Sequence, residues 1–229
     1  MTGAEPVPRS PRPQGSPRAP ILVLASASPR RRALLADLDL DFTVRPPHTD
    51  ESPRPGERPS DLVVRLAGEK ALACIEPGEI VLAADTIVVI DNEILGKPAD
   101  EVDARSMLTR LAGRDHEVFT GVALADGTGP QSRLVTRVER TQVRIRPMSS
   151  GEISAYVAGG EPMDKAGAYA IQGWGAVYVE AITGNYTNVV GLPIPAVEAC
   201  FRELGFDIDL FRRTPIGSPG ADEKASPRT

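Results

Sequence analysis

Cysteine and histidine are scarce in this chain of 229 residues, which contains two of each. Cys74 and Cys200 lie far apart and outside any CxxC spacing, so two reduced thiols are the favoured interpretation over a metal-binding or redox pair. With only His48 and His116 available, a classical type of zinc site or a Ser-His-Asp triad has little to work with. Any hydrolytic chemistry is therefore expected to rely on carboxylates and cations, with a hard metal ion as a further option.

Aromatic residues and net positive charge are also in short supply. Aromatics make up 4% of the chain against 41% hydrophobic residues in all, so aliphatic side chains must fill the core of one large domain, or of one domain with two lobes. The formal net charge of -5 gives no chain-wide basic surface for a nucleic-acid polymer. A small anionic ligand remains compatible with a local cluster of Lys and Arg.

Long apolar runs are absent from the sequence, and no stretch approaches the ~20 apolar residues that span a bilayer. Residues 1–19 are rich in Pro and Arg and lack the apolar centre of a signal peptide, so we expect a cytoplasmic protein without a membrane partner. Composition predicts disorder in this leader and in the tail at 213–229. One folded domain is predicted over 20–212.

The pattern of apolar residues predicts an α/β protein with a mixed sheet and flanking helices. An apolar run at 21–25 is typical of a buried strand, and Ser28 is placed to cap a helix that begins at Pro29. The same reasoning predicts further helices at 60–75, 100–111, 149–158 and 196–204. Strands are predicted at 80–90, 118–125, 135–145 and 177–182.

The first candidate site is the segment SASPRRR at 26–32, which places three arginines in the first turn of the predicted helix. A helix N-terminus carries partial positive charge and favours phosphate, whereas Arg30, Arg31 and Arg32 oppose that dipole unless an anion is bound. From these residues alone, an arginine-rich solvated helix start is equally compatible.

The second candidate is Asp85, a carboxylate within an otherwise apolar strand. Burying it is costly unless it is hydrogen-bonded, paired or bound to a metal. A purely structural role in capping a loop is the less favoured alternative. Thr86 follows and is expected on the opposite face of the strand. Other charged residues near predicted loop ends complete this set, namely Glu51, Lys70 and Lys97.

The third candidate is the segment EPMDKAGAYAIQG at 161–173, which offers Asp164, Lys165 and Gln172. A Gln amide both donates and accepts hydrogen bonds, as reading the edge of a base requires. Composition alone favours an ordinary loop amide. Residues 185–193 are similarly ambiguous and are predicted as a loop before a helix.

Five motifs occur in order along the chain: SASPRRRALL, AADTIVV, GKP, EPMDKAGAYAIQG and GNYTNVVGLP. Together they resemble the Maf family of nucleoside triphosphate pyrophosphatases over roughly residues 21–206. The resemblance implies an elongated α/β fold, related to that of inosine triphosphate pyrophosphatases, with two lobes around a cleft. It also implies a divalent metal, Mg²⁺ or Mn²⁺, the release of pyrophosphate, and a homodimer.

The same resemblance implies roles for individual residues. Asp85 falls on the proton acceptor, and Arg30, Thr86 and Gln172 fall on positions that tune the choice of substrate. The DKAGAYxIQG pattern, with a Tyr-containing loop and VVGLP after it, resembles the group that acts on dTTP and UTP.

These expectations combine into one mechanism, in which water or a metal-bound hydroxide attacks the α-phosphorus. Asp85 and Glu51 are expected to hold the metal, and Asp85 to accept the proton. Cations are expected to stabilise the developing charge, namely Arg30, Lys70, Lys97 and Lys165. The remaining expected substrate contacts are Ser26, Ser28, Arg31, Thr86, Asp164 and Gln172.

Two alternatives stay open. One is a non-enzymatic, nucleotide-binding regulator of septum formation, and the other is a pyrophosphatase for 7-methyl-GTP or a damaged pyrimidine nucleotide. The presence of Asp85 with Glu51, Lys70 and Lys97 favours catalysis, because a binding module needs no base beside the phosphates.

Overall fold

A computed structural model describes residues 20–214. The predicted leader at 1–19 lies outside the described residues, as does the predicted tail at 213–229 except for its first two residues. Within the described part, none of the helices combines the length and the apolar character that crossing a bilayer requires.

A seven-stranded mixed sheet runs through the molecule in the order β2-β1-β3-β5-β6-β7, with β4 paired to β3. β1 pairs in parallel with β2 and β3, and the remaining pairs are antiparallel. The predicted mixed sheet is therefore confirmed. The strands are β1 Ile21–Leu24, β2 Thr43–Val44, β3 Glu79–Ile90, β4 Glu93–Leu95, β5 Asp115–Asp126, β6 Arg133–Ile145 and β7 Val179–Thr183.

Three of the helices begin directly after a side chain that caps their first turn. Ser28, Asp100 and Ser149 each accept a hydrogen bond from a backbone N–H of the first turn, and Ser149 forms a complete capping box with Glu152. The helices are α1 Pro29–Asp37, α2 Pro59–Cys74, α3 Glu101–Leu111, α4 Ser150–Ala158, α5 Tyr186–Val190 and α6 Ile194–Leu204.

Three elements are absent from the sequence-based expectation. β2 is a two-residue strand that pairs with β1. Asp91 and Asn92 have positive φ angles of 54° and 62°, which close a two-residue hairpin and add β4. The predicted loop at 185–193 contains α5, which Asn185 caps and Gly191 ends with φ 114°. A five-residue helix is too short to produce the apolar periodicity by which helices are recognised.

The two faces of the sheet are packed by different kinds of residue. α2 lies on one face through small side chains such as Ala67 and Ala71 against Ala83 and Ala123, while Leu and Phe residues of α6 and the strands fill the other face. A separate apolar cluster surrounds α3 and α4 toward the far end of β3. Asp85 and Thr86 lie along β3 between the clusters, so the polar pair falls at their junction. The division into two lobes stays a prediction.

Candidate active site

A cleft of about 730 Å³ opens beside the middle of β3. The loop from β1 to α1, the helix α2, the turn after β4 and the segment at 161–172 all contribute to its wall. The structure brings all the predicted site residues to this one cleft, namely Ser26, Ser28, Arg30, Arg31, Glu51, Lys70, Asp85, Thr86, Lys97, Asp164, Lys165 and Gln172. Residues from distant parts of the sequence therefore share a single cavity.

Lys70 links the two carboxylates at the floor of the cleft. Its Nζ lies 2.5 Å from Asp85 Oδ1 and 2.6 Å from Glu51 Oε1. The Lys70 and Asp85 side chains are 8% and 10% exposed, whereas that of Glu51 is 56% exposed. An ammonium group between two carboxylates offsets the cost of burying Asp85, which the sequence indicated without naming a partner.

A glycine on the neighbouring strand allows this contact to form. Gly121 lies opposite Asp85 in the β3–β5 pair, and a Cβ at that position would fall 2.1 Å from the backbone oxygen of Val63 in α2. Since only glycine fits, α2 approaches the sheet closely at this point. That approach carries Lys70, two turns further along α2, down to the carboxylate.

Glu51 is tuned by the charges around it. Burial is the largest influence and would raise the pKa of Glu51, but the hydrogen bond and charge of Lys70, with the charges of Lys97 and Arg31, outweigh it and lower the pKa. Glu51 is thus ionised at neutral pH. Lys97 is exposed and makes no ion pair with another residue of the 20–214 range, so its charge is available to the cleft.

The N-terminus of α1 forms the opposite wall. Ser28 Oγ accepts from Arg31 N at 3.4 Å, and Ser26 Oγ accepts from Ser28 N at 3.2 Å. The first turn of α1 contains no acidic side chain, so its partial positive charge is not neutralised within the helix. This wall therefore suits an anion such as a phosphate group.

Arg31 is bound almost entirely by the protein itself. Its guanidinium donates to Gly191 O at 2.7 Å, Ala84 O at 2.8 Å and Thr86 Oγ1 at 3.0 Å. Burial lowers the pKa of Arg31 from its very high ordinary value, and the charge of Asp85 opposes that effect. Arg31 consequently fastens α1 to β3 and to the end of α5.

A chain of hydrogen bonds runs from Arg31 through Thr86 into the core. Thr86 Oγ1 and Thr120 Oγ1 lie 2.9 Å apart and share a hydrogen bond. Thr86 Oγ1 is also 3.4 Å from Gly191 O, and Thr120 Oγ1 is 3.2 Å from Asn188 O. Asn188 is fully buried and donates to Val118 O and to Thr141 Oγ1. Thr120 and Asn188 were not singled out in the sequence, because isolated Thr and Asn residues carry no pattern.

Arg30 and the segment at 161–172 meet across the mouth of the cleft. Arg30 Nη1 lies 3.1 Å from Asp164 Oδ2, and Lys165 Nζ lies 2.6 Å from Asp164 Oδ1. Burial would raise the pKa of Asp164, but Lys165 and Arg30 together lower it. Gln172 is exposed at the same mouth. The segment is tied to the turn after β4 by a hydrogen bond from Gly167 N to Gly96 O.

The protein alone offers a metal two carboxylates, from Asp85 and Glu51. Within residues 20–214, no cluster of three or more His, Cys, Asp or Glu side chains is arranged to hold a metal. Mg²⁺ is commonly bound by one or two carboxylates that share it with substrate phosphates, and the oxygen donors of Asp85 and Glu51 fit that pattern. Lys70 lies between the same two carboxylates.

Together the fold and the cleft define an α/β protein whose central cavity is lined by cations and a helix N-terminus beside a buried carboxylate. The model of the family described as "Maf-like protein" matches residues 21–204, and the chain belongs to that family.

Among its relatives is the dTTP/UTP pyrophosphatase of Anaeromyxobacter dehalogenans (strain 2CP-C), 51% identical over 190 residues that make up 83% of this chain and 97% of the relative. The dTTP/UTP pyrophosphatase of Myxococcus xanthus (strain DK1622) is 53% identical, covering 82% of this chain and 94% of its own length. That of Shewanella oneidensis (strain MR-1) is 50% identical, covering 80% and 98%.

Proposed function

We propose that the protein hydrolyses dTTP and UTP to their monophosphates and pyrophosphate by attack of water on the α-phosphorus. The observation that carries the proposal is the position of Asp85, a buried carboxylate that faces a cleft lined by cations and a helix N-terminus. The choice of substrates is supported by relatives near 50% identity that bear the name dTTP/UTP pyrophosphatase.

Asp85 is the proposed general base. Its Oδ1 is held by Lys70 at 2.5 Å, which leaves Oδ2 to accept a proton from the attacking water. Lys70 thus orients the base, and its own charge lies beside the reacting phosphate. This arrangement accounts for a lysine that is as deeply buried as its carboxylate partner.

The leaving pyrophosphate requires positive charge that is already in place. Arg30 lies at the N-terminus of α1 and Lys97 follows β4, so the cleft receives positive charge from two separate elements, which can contact different phosphate oxygens. Lys165 also lines the cleft, and its charge is partly offset by Asp164, with which it pairs. Ser26 and Ser28 are proposed to donate to phosphate oxygens at the helix end.

Asp85 and Glu51 are the proposed ligands of a divalent cation. When bound, Mg²⁺ or Mn²⁺ would lower the pKa of a water molecule and neutralise phosphate charge. Glu51 is suited to this because it is ionised and half-exposed on a loop at the edge of the cleft.

Selection of the nucleotide is proposed to rest on Arg30, Thr86 and Gln172. The Gln172 amide can pair with the O4 and N3–H edge shared by uracil and thymine. The Thr86 hydroxyl accepts from Arg31 and has Thr120 Oγ1 and Gly191 O as acceptors for its own proton, so toward a ligand it offers only a lone pair. We also propose that the protein works as a homodimer in the cytoplasm, which sedimentation of the purified protein and cell fractionation would check.

The test is to incubate the purified protein with dTTP, UTP, other canonical triphosphates and 7-methyl-GTP, with and without Mg²⁺ or Mn²⁺. In water labelled with ¹⁸O, attack at the α-phosphorus places the label in the monophosphate. Label in orthophosphate, with a nucleoside diphosphate as the other product, would contradict the proposed reaction. Turnover of 7-methyl-GTP alone would show that dTTP and UTP are not the substrates.

Asp85→Asn is expected to lower kcat by at least about 100-fold, because the proton acceptor is lost while the side chain keeps its size. Asp126→Asn is the matched control, since Asp126 is also buried in a strand and paired with an arginine, Arg133, but lies outside the cleft. Asp126→Asn should lose stability and keep its kcat. Near wild-type turnover in folded Asp85→Asn would remove the assigned role.

A further inference from the structure

The carboxylate of Glu161 accepts three hydrogen bonds beside the cleft without lining it. Oε2 accepts from Trp174 N at 2.9 Å, while Oε1 accepts from Gly175 N at 2.9 Å and from the Tyr156 hydroxyl at 2.8 Å. Burial would raise the pKa of Glu161, but these hydrogen bonds outweigh it and the pKa is lowered. The fold therefore stabilises the ionised form of the Glu161 carboxylate.

Tyr156 extends the contact to the other side of Gln172. Its hydroxyl donates to Glu161 and accepts from Ala170 N at 3.3 Å, and the ring is buried. Ala170 precedes Gln172 by two residues, and Trp174 and Gly175 follow it. The segment before Gln172 is thus fastened to Tyr156 and the segment after it to Glu161, and these two side chains are hydrogen-bonded to each other.

The chain also wraps Glu161 and Tyr156 more closely than other residues would allow. A Cβ at Gly173, whose φ is 70°, would lie 2.8 Å from Glu161 Oε2, and one at Gly175 would lie 2.4 Å from the Tyr156 oxygen. Glycine at both positions lets the backbone reach the carboxylate and the hydroxyl. The path of residues 170–175 is therefore fixed by direct contact.

Gln172 itself is exposed at the cleft, and its amide makes no hydrogen bond to another residue between 20 and 214. Such a side chain loses freedom when it binds, and a fixed backbone lowers that entropic cost. We propose that Glu161 and Tyr156 form a brace that holds Gln172 over the cleft, which makes Glu161 a positioning residue for recognition of the nucleotide base. This inference rests on the proposed function, in which Gln172 reads the base.

The experiment compares Glu161→Gln with the wild-type protein. The amide nitrogen of Gln cannot accept from a backbone N–H, so one anchor of the turn is lost with little change in size. We expect KM for UTP and dTTP to rise about ten-fold with kcat within about three-fold, since the chemistry at Asp85 is untouched. Inorganic tripolyphosphate, which carries the phosphates without a base, is expected to compete with the substrate and should keep its inhibition constant in the variant.

The matched control is Glu152→Gln. Glu152 also accepts from a backbone N–H, that of Ser149 at 2.8 Å, and pairs with Arg146, but it lies away from the cleft. Its kinetic constants should match those of the wild type. Tyr156→Phe removes a single hydroxyl and serves as the second variant if Glu161→Gln does not fold. It should raise KM in the same direction and leave tripolyphosphate inhibition unchanged.

A double variant tests whether Glu161 acts through Gln172. In a Gln172→Ala background, Glu161→Gln should raise KM by less than about two-fold, because the side chain that it positions is already gone. If Glu161→Gln raised KM equally with and without Gln172, or if it also weakened inhibition by tripolyphosphate, the proposed brace would be refuted. Failure of the proposed function is a separate result, since the wild-type protein would then release no pyrophosphate from UTP or dTTP.

Discussion

Replacing Lys70 by Met removes the charge between Asp85 and Glu51 while keeping most of the apolar stem. The Lys70 side chain is 8% exposed and its Nζ lies within 2.6 Å of both carboxylates, so it supplies the contact that offsets the burial of Asp85. The variant leaves the Asp85 carboxylate buried, without its cation and next to another negative charge.

The expected cost follows from how deeply each partner is buried. Breaking a buried ion pair by removing one partner typically costs about 3–5 kcal/mol, because the remaining charge is uncompensated. Asp85, with 10% of its side chain exposed, belongs to that class, whereas the half-exposed Glu51 contributes little after solvent screening. We therefore expect the free energy of unfolding at neutral pH to fall by about 3 kcal/mol.

Urea unfolding followed by far-UV circular dichroism is the suitable assay. The single tryptophan, Trp174, is 64% exposed in the folded protein, so its fluorescence would change little on unfolding. Combining Lys70→Met with Asp85→Asn removes both charges of the buried pair and should cost less than Lys70→Met alone. A loss below about 1 kcal/mol for Lys70→Met, or strict additivity in the double variant, would refute the reasoning.

Two further predictions concern the fold. Burial lowers the pKa of His116 to about 4 from 6.5, so its stabilising contribution is complete above pH 6.5 and is lost as pH falls toward 4. Between pH 8 and pH 5 the wild-type free energy of unfolding should fall by about 2 kcal/mol more than that of His116→Gln, and parallel urea series for the two proteins would disprove this. Gly121→Ala should cost more than about 3 kcal/mol, because its Cβ meets the Val63 backbone at 2.1 Å. Gly151→Ala meets nothing closer than 3.9 Å and is the neutral comparison in the same denaturation assay; equal midpoints would contradict the close approach of α2.

Local chemistry made much of the fold predictable from the sequence. Ser28 before Pro29, Asp100 and the Ser149–Glu152 box mark helix starts because each cap satisfies a backbone N–H a few residues away. Asp85 was recognisable for a similar reason, since its apolar neighbours in the chain show that its strand is buried.

The contacts that complete the candidate site could not be predicted in the same way. Three consecutive arginines look alike in the sequence, yet Arg31 is bound by backbone oxygens, Arg30 reaches Asp164 and Arg32 is exposed. Which arginine turns inward depends on the direction of α1 relative to β3. Glu161 was likewise part of a recognised motif, but its three hydrogen bonds depend on how the chain folds back at 173–175.

The alanine-lined contact between α2 and the sheet couples the packing of the core to the geometry of the cleft. Ala67 and Ala71 of α2 meet Ala83 and Ala123 of the sheet, and Lys70 lies on the same helix within that stretch. An added methyl group at one of these buried positions would have no space to occupy, so it would lift the helix and draw the ammonium away from Asp85. The residues in this contact are therefore constrained by the cleft as well as by packing. A larger side chain here would disturb the candidate site without touching a ligand.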